Sequence, residues 1–395
     1  MTSEILCMSK SAIAMAADSM VTVNGSKTYK GVNKLFMLSQ DNPPMSMMIY
    51  GSADFEKIPM ETLIKEYRKR TNFKDKHDII SIKEDFLEFL GKNTPNSDFA
   101  SKIESGLKLF KPIIVSKMEN YDESDLADFL KSGSEHDLPD FLNDYRRIIK
   151  KYDKEFEEII PDYIDDEHCE EIVSLLKNIF FNSLIRTGTG IVIAGFNTHD
   201  LFPSVVNFNL CLNNNGKIEI TDYEELINYG GSAIFPFAQK EVINTFLTGI
   251  DSTMENAIAD AFSNLFDKHI EKLRLDFNSN KEIKNNSTIN QVLDNYSNNS
   301  DIGAEEFARN IARLKNNYTQ PILSSVSSLP KEELANMAES LIHITSLKRK
   351  IDSNLESVGG HIDVSIISKG DGYIWKKKKY YFDLELNPQF FNKIA

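Results

Sequence analysis

The first residues of this chain put a hydroxyl beside what becomes a free amine once Met1 is removed. Thr2 follows Met1 directly, and a small second residue permits removal of the methionine. A hydroxyl is a weak nucleophile until a base accepts its proton, and an α-amine, whose ordinary pKa is about 7.7–8.0, can be that base. Thr2 is therefore a candidate nucleophile that carries its own base.

Two charged residues follow Thr2 at equal intervals. Asp18 lies sixteen positions after Thr2 (18 minus 2), and Lys34 lies sixteen positions after Asp18 (34 minus 18). A lysine near the threonine hydroxyl would put positive charge where an oxyanion develops, and an aspartate would keep that lysine charged and oriented. Taken singly, Asp18 can equally be a turn residue and Lys34 a solvent-facing strand lysine.

Three segments around these residues, AIAMAADSMVTV, KGVNKLFML and IYGSADFEK, resemble the proteasome β-subunit and HslV-like threonine peptidases. That family belongs to the N-terminal nucleophile (Ntn) hydrolases. The resemblance implies that Thr2, Asp18 and Lys34 are catalytic and that the substrate is a peptide or protein amide bond. It also implies a four-layer αββα sandwich that can assemble into a homo-oligomeric ring. We expect no cofactor and no metal, because the histidines and cysteines lack the spacing of metal ligands.

The resemblance gives supporting roles to four further residues. Gly51 resembles the family glycine whose backbone N–H is an oxyanion donor, with a simple turn glycine as the alternative. Ser232 is the candidate for a supporting serine before a helix, and a helix N-cap is the alternative. Glu356 and Ser357 are the candidates for a supporting pair beside the nucleophile. They fill those places only with a shifted backbone, since Val358 stands where the family commonly has a serine.

The apolar pattern predicts strands, helices, strands, helices and strands in that order. Short apolar runs over residues 4–17, broken at Ser9 to Ser11, predict a buried hairpin that ends at Asp18. The further predicted strands cover residues 34–38, 45–50, 190–196, 205–212, 217–221, 361–368 and 373–375. The predicted helices cover residues 55–70, 79–91, 123–131, 141–159, 172–184, 238–275, 305–316 and 331–350. This order fits an α+β sandwich of two sheets with helices on the outer faces.

The resemblance covers only part of the chain, and this predicts three regions. The predicted Ntn hydrolase core consists of residues 1–71, 186–250 and 330–395. Residues 72–185 form a predicted helical insertion, and residues 251–329 a helical extension that contains an Asn/Ser-rich linker. The two inserted regions are candidates to bind a partner protein, to cover the site or to block ring stacking.

Composition narrows the classes of partner. The net charge of −14 repels phosphate backbones and anionic lipids, so neither nucleic acid nor a membrane is the expected partner. Three scattered cysteines give neither a disulfide framework nor the ligand spacing of a zinc site. No stretch approaches the roughly 18 apolar residues that would span a bilayer. We expect a cytoplasmic protein.

The sequence thus predicts a threonine-type Ntn hydrolase that cleaves peptide bonds through an ester on Thr2. If an amine captured that ester instead of water, the enzyme would be a transpeptidase or ligase. The alternative from another class is a noncatalytic structural or regulatory subunit that keeps the sandwich and binds partners through its helical insertions.

Overall fold

A computed structural model describes most of the 395-residue chain. The described residues are 3–23, 27–41, 43–94, 99–118, 152–160, 172–180, 188–212, 217–279, 300–352, 359–383 and 385–387. The helix predicted over 123–131 lies outside them, as do most of the helix predicted over 141–159 and most of the Asn/Ser-rich linker predicted near 276–303.

Two five-stranded antiparallel sheets occupy the centre of the described part of the chain. The first sheet contains, in spatial order, β12 (Ala233–Pro236), β1 (Glu4–Met8), β2 (Ala12–Asp18), β13 (Ile362–Ser368) and β14 (Gly372–Lys377). The second contains β11 (Ile218–Leu226), β10 (Ser204–Leu212), β9 (Thr189–Gly195), β6 (Met45–Gly51) and β5 (Leu35–Ser39). Two small ribbons pair β3 (Met20–Val23) with β4 (Lys27–Lys30) and β7 (Asp54–Phe55) with β8 (Ile58–Pro59).

Helices separate the strand blocks along the chain. They are α1 (Met60–Arg70), α2 (Ile79–Asn93), α3 (Phe99–Met118), α4 (Asp153–Glu157), α5 (Lys240–Thr248), α6 (Ser252–Ser279), α7 (Ser300–Ser327) and α8 (Lys331–Asp352). Residues 172–180 are also helical. Among the described residues, no helix is both long enough and apolar enough to cross a membrane.

The layers follow from strands that are apolar on both faces. In β1, Leu6 and Met8 point into a core between the two sheets, while Ile5 and Cys7 point to the opposite face. Successive strand residues alternate between faces, so a strand with apolar residues at every position is buried on both sides. The first sheet therefore needs a second sheet on one face and helices on the other.

Helices cover the outer face of each sheet. The face of the first sheet that carries Ile5 and Cys7 packs against α5, α7 and α8, through residues such as Ile243, Val326 and Leu341. The outer face of the second sheet packs in the same way against α1 and α2. The predicted α+β class with antiparallel sheets is confirmed, and the described layers are helices, sheet, sheet and helices.

The hairpin of β1 and β2 brings Asp18 to the edge of the inter-sheet core. The turn closes with Ser9 N donating to the carbonyl of Ala12 over 2.9 Å, and the register pairs Glu4 with Ala17. Asp18 is the last residue of β2 and pairs with Ile362 of β13. The end of a central strand, flanked by a strand on each side, gives this carboxylate a fixed position.

The division into core, insertion and extension stays a prediction. Within the predicted insertion 72–185, α2 packs Ile79, Ile82, Phe86 and Leu90 into the core on the second sheet. An N-cap begins this helix, where the Asp78 carboxylate accepts from Ser81 N over 2.8 Å. A part of the region assigned to the insertion is thus a structural neighbour of the sheet.

Candidate active site

Lys34 and Asp18 meet at the end of the first hairpin. Asp18 ends β2, and Lys34 immediately precedes β5 on the facing sheet. Their side chains are 0% and 3% exposed, and the Lys34 ammonium donates to Asp18 Oδ1. The spacing of these two residues in the sequence thus corresponds to a direct contact. Burial excludes the alternative that Lys34 is a solvent-facing strand lysine.

Asp18 also binds backbone from two distant segments. Ser3 N donates to Asp18 Oδ1 over 3.0 Å, and Gly359 N donates to Asp18 Oδ2 over 3.0 Å. Asp18 N donates to the carbonyl of Ser3 over 3.1 Å. A buried carboxylate is tolerated when it is paired and hydrogen-bonded, and Asp18 has both kinds of partner. Ser3, the first described residue of the chain, is therefore bound to Asp18 through both its backbone N–H and its carbonyl.

Glu4 is a third charged residue in this cluster, and the sequence analysis did not single it out. Its side chain is fully buried, and Glu4 Oε1 lies 3.1 Å from Lys34 Nζ. A signal was present, because a glutamate opens the otherwise apolar strand EILCM, and an unpaired buried carboxylate would be costly. The apolar pattern predicts a buried strand but assigns no role to the one charged residue within it.

A small pocket, partly open to solvent, lies beside this cluster. Its lining combines apolar walls with the charged groups of Glu4 and Lys34. The lining residues are Glu4, Val21, Val32, Lys34, Ile49, Tyr50, Gly51, Ser52 and Ala53. The buried ion cluster thus borders a small pocket that is partly open to solvent.

Gly51 lies on the wall of this pocket at the end of β6. Its φ is +76°, and a Cβ added there would lie 2.7 Å from the carbonyl oxygen of Gly188. Both the backbone conformation and the close approach of β9 require glycine. The structure brings Gly51 to the same pocket as Lys34, and its role as an oxyanion donor stays a prediction.

Tyr50 forms the polar side of the pocket wall. Its hydroxyl donates to Asn207 Oδ1 over 2.9 Å, and its ring lies over Gly190, where an added Cβ would clash with it. Burial raises the pKa of Tyr50 well above its ordinary value, so the phenol stays neutral over the usual working range. The sequence analysis missed this residue, which a strand pattern alone does not distinguish from core.

Two buried hydroxyls lie near Asp18. Ser3 and Ser19 are each 0% exposed, and within the described part of the chain neither Oγ has a hydrogen-bond partner. Ser19 Oγ would be 2.6 Å from a Cβ at Gly360, which has a φ of +80°. The glycine at 360 therefore lets the β13 segment approach the end of β2 closely.

Ser232 does not reach the pocket, so the structure does not support its predicted place in the site. Its hydroxyl donates to the carbonyl of Leu323 in α7 over 2.6 Å. The N-cap alternative is also wrong, because β12 follows Ser232 and helix α5 begins at Lys240 after Gln239. A glycine-rich stretch before a predicted helix was misread because the short strand between them was missed.

Three of the predicted site residues lie outside the described residues, namely Thr2, Glu356 and Ser357. Their described neighbours in the chain are Ser3 and Gly359, and both donate a backbone N–H to Asp18. The roles assigned to the three residues stay predictions.

Comparison with known proteins gives no family assignment. No protein-family model matches this chain, and no curated protein matches it. Solved structures that align with it include an Anbu (Gly-1) mutant from Hyphomicrobium sp. strain MC1, at 9% identity and a TM-score of 0.37, covering 100% of this chain and 95% of that chain. Anbu (ancestral beta-subunit) from Yersinia bercovieri aligns at 7% identity and a TM-score of 0.31, covering 99% of this chain and 94% of that chain.

The expected membership of the proteasome β-subunit and HslV-like family is therefore wrong. It rested on three short segments, whereas the alignments with Anbu structures have TM-scores of only 0.31–0.37 and identities of 7–9%. Short apolar runs ending in an aspartate, followed by a lysine, describe a buried hairpin and its ion pair. Such a hairpin can arise in any sandwich whose strands are apolar on both faces. At these TM-scores the alignments carry no argument about function.

Proposed function

We propose that this chain is a hydrolase that cleaves peptide or other amide bonds with Thr2 as an N-terminal nucleophile. The observation that carries the proposal is the buried Lys34 ammonium, which borders a small pocket and lies between Asp18 and Glu4. Ser3, the residue after Thr2, donates its backbone N–H to the same Asp18. In this proposal Thr2, which directly precedes Ser3, acts beside this cluster.

The proposed reaction begins with attack of Thr2 Oγ1 on the carbonyl carbon of the scissile amide. The hydroxyl proton passes to the α-amine of Thr2, and the carbonyl electron pair moves onto oxygen. Lys34 supplies positive charge near the reacting oxygens, and the backbone N–H of Gly51 is the candidate donor to the oxyanion. Collapse breaks the C–N bond, and the departing amine takes up the proton.

The second half of the reaction returns the free enzyme. Water attacks the ester on Thr2 with the α-amine as base, which releases a carboxylic acid and restores the hydroxyl. An amine in place of water would give a new amide, so transpeptidation or ligation follows from the same ester. In this proposal Asp18 orients Lys34, and Glu356 with Ser357 remain the candidate supporting pair.

One observation favours a noncatalytic second candidate. Asp18 joins Ser3, Lys34 and Gly359, three segments distant in sequence, as a structural ion cluster would. A scaffold subunit could use this cluster for stability alone and bind partner proteins through its helical regions. The hydrolase requires Thr2 as its nucleophile, whereas the scaffold subunit does not require Thr2 for any reaction.

Replacement of the nucleophile tests the proposal. Thr2→Ala should abolish turnover of a mixed peptide library, read by mass spectrometry of the products, because no other hydroxyl carries its own amine. The free energy of unfolding should change by no more than about 0.5 kcal/mol, since residues at a chain end have few packing contacts to lose. Thr253→Ala, at an exposed threonine of α6, is the matched control and should keep turnover. Equal turnover in Thr2→Ala and the unchanged protein would rule out this mechanism.

A further inference from the structure

Four consecutive lysines lie at the end of β14 and directly after it, over residues 376–379. Three of them have carboxylate partners, namely Lys376 with Glu332, Lys377 with Glu339 and Lys379 with Asp363. Lys378 forms no ion pair with a carboxylate in the described part of the chain. Its charge is therefore not balanced in the way that the charges of its neighbours are.

A β-bulge turns Lys378 toward the space between the two sheets. The pairing of β14 with β13 shifts between Val364 and Ser365, which leaves Lys376 as an extra residue in the ladder. An extra residue changes the face to which the following side chains point. The Lys378 ammonium accordingly lies over the ring of Trp375, 4.5 Å from its centroid, and Trp375 packs against the core between the sheets.

A second cation reaches the same edge of the sandwich from helix α1. Arg68 is half-buried, and its Nη1 donates to the carbonyl of Met37 in β5 over 3.2 Å. Here β5 and β14 meet, since Tyr373 N donates to the carbonyl of Gln40 over 2.7 Å and Gln40 Nε2 donates to the carbonyl of Tyr373 over 2.9 Å. Within the described ranges, Arg68 has no carboxylate partner either.

Positive charge exceeds negative charge at this edge. Burial lowers the pKa of Lys378, and the positive charge of Arg68 lowers it too. Lys65 and Lys379 act in the same direction, whereas Asp363 raises the pKa. The Asp363 carboxylate is already occupied, because it accepts from Lys379 N over 2.7 Å and pairs with the Lys379 ammonium. Two half-buried cations that repel each other are stabilised when an anion binds beside them.

A buried hydroxyl adds a neutral donor at the same place. Tyr373 is 2% exposed, and the charge of Arg68 acts on its hydroxyl. The hydroxyls of Tyr373 and Ser365 are buried side by side, and neither has a partner elsewhere in the described part of the chain. Burial raises the pKa of Tyr373, so the phenol keeps its proton and can donate it in a hydrogen bond.

We propose that Arg68 and Lys378 form a binding site for a small oxyanion, a phosphate or a carboxylate, with Trp375 as its wall. The planar guanidinium matches the oxygens of either group with two parallel hydrogen bonds, and the ammonium adds a second charge. The net charge of the chain is −14, so this local excess of cations runs against the average surface. That contrast favours a specific anion over a general role in solubility.

The fluorescence of Trp375 tests the proposal, because this is the only tryptophan of the chain. The full chain is titrated with inorganic phosphate and, separately, with succinate, at constant ionic strength. We expect a saturable change in emission, since an anion bound to Lys378 alters the ammonium above the ring. Tighter binding of phosphate identifies a phosphate site, and tighter binding of succinate a carboxylate site. No saturable change with either anion overturns the proposal.

Variants show whether the two cations bind the anion. Lys378→Gln and Arg68→Gln should each weaken binding about tenfold, because each loses a charged hydrogen bond. Lys377→Gln is the matched control, since it removes the same charge one residue away from a side chain that is 52% exposed. It should leave the affinity unchanged. Equal affinities in Lys378→Gln and the unchanged protein overturn the proposal.

The melting temperature gives a readout that does not depend on tryptophan emission. A ligand that binds only the folded state raises the melting temperature as its concentration increases. Phosphate at constant ionic strength should raise it in the unchanged protein and in Lys377→Gln, and raise it less in Lys378→Gln. An equal rise in all three proteins would overturn the proposal, because the stabilisation would then come from elsewhere. Neither measurement involves Thr2, so the result is independent of the proposed hydrolase.

Discussion

At the scale of single residues, Lys34 is the one whose removal should destabilise the site most. Its ammonium lies between two fully buried carboxylates, so its removal takes a buried positive charge away from both of them. Breaking a buried ion pair by removing one partner costs far more than the intact pair contributes, because the remaining charge stays desolvated.

Lys34→Ala should therefore lower the free energy of unfolding by about 3–5 kcal/mol. Lys65→Ala is the matched control, since Lys65 also pairs with a carboxylate, Glu61, but is 54% exposed. An exposed pair contributes about 0–1 kcal/mol, so the control should lose little. Urea unfolding followed by circular dichroism measures both variants. Similar losses in the two variants would contradict the burial of the cluster.

Sequence reasoning reached part of this site and missed the rest for identifiable reasons. The contact of Asp18 with Lys34 was predictable from strand order, because a residue ending one strand can meet a residue opening a strand on the facing sheet. Glu4 was missed because an apolar strand pattern hides the one charge within it. Ser232 was misplaced because the sequence does not reveal that its hydroxyl donates a hydrogen bond to a backbone carbonyl of α7.

At the scale of elements, strands with nearly unbroken apolar runs were the most predictable part of the fold. The central strands β1, β2, β6 and β9 all have such runs and were found. Strand β12 was missed because it has only four residues and ends in Pro236, as edge strands can.

The single helix predicted over 238–275 is two helices, since Gly249 adopts a φ of +76° and ends α5.

The junction of β6 and the pocket makes a prediction at this scale. Gly51→Ala should lower the free energy of unfolding by about 1–3 kcal/mol, because the new Cβ meets the Gly188 carbonyl at 2.7 Å and the residue has a positive φ. Gly91→Ala is the control, and for it we expect the opposite change in the free energy of unfolding. Nothing lies within 4 Å of a Cβ there, so the helix α2 should become more stable by up to about 1 kcal/mol. Chemical unfolding of both variants measures the difference, and a neutral Gly51→Ala would contradict the close approach of β9.

At the scale of the whole molecule, burial by the helical layers on the first sheet should control the chemistry of Cys7. The Cys7 thiol is 0% exposed in the core formed with α5, α7 and α8, and burial raises its pKa to about 12. Only the thiolate reacts with alkylating agents, so both the raised pKa and the lack of access slow the reaction.

In a variant with Cys169 and Cys211 replaced by serine, Cys7 should stay unmodified by iodoacetamide at pH 8 and react fully in urea. Intact-mass measurement over time gives the extent of modification. In the native state the rate should follow opening of the structure. Modification of native Cys7 as fast as in the unfolded chain would mean that the helices do not close over the first sheet.

The sequence constrains the oligomeric state of the protein less than it constrains the two-sheet sandwich. The expected homo-oligomeric ring rested on the family assignment, and that assignment is withdrawn. The predicted cytoplasmic location and the partner role of residues 72–185 and 251–329 likewise stay predictions. The sequence cannot decide these points, because solvent-facing side chains are weakly constrained by the burial that specifies the two sheets.

The central claim is that Thr2 is a nucleophile with a free amine beside a buried lysine. Its most direct test is the intact mass of the protein after incubation with a β-lactone or an epoxyketone, with peptide mapping of the adduct. The account predicts a protein lacking Met1 that gains a single adduct on Thr2, and no adduct in Thr2→Ala. A protein that lacks Met1 and stays unmodified, or one modified at another residue, would contradict it.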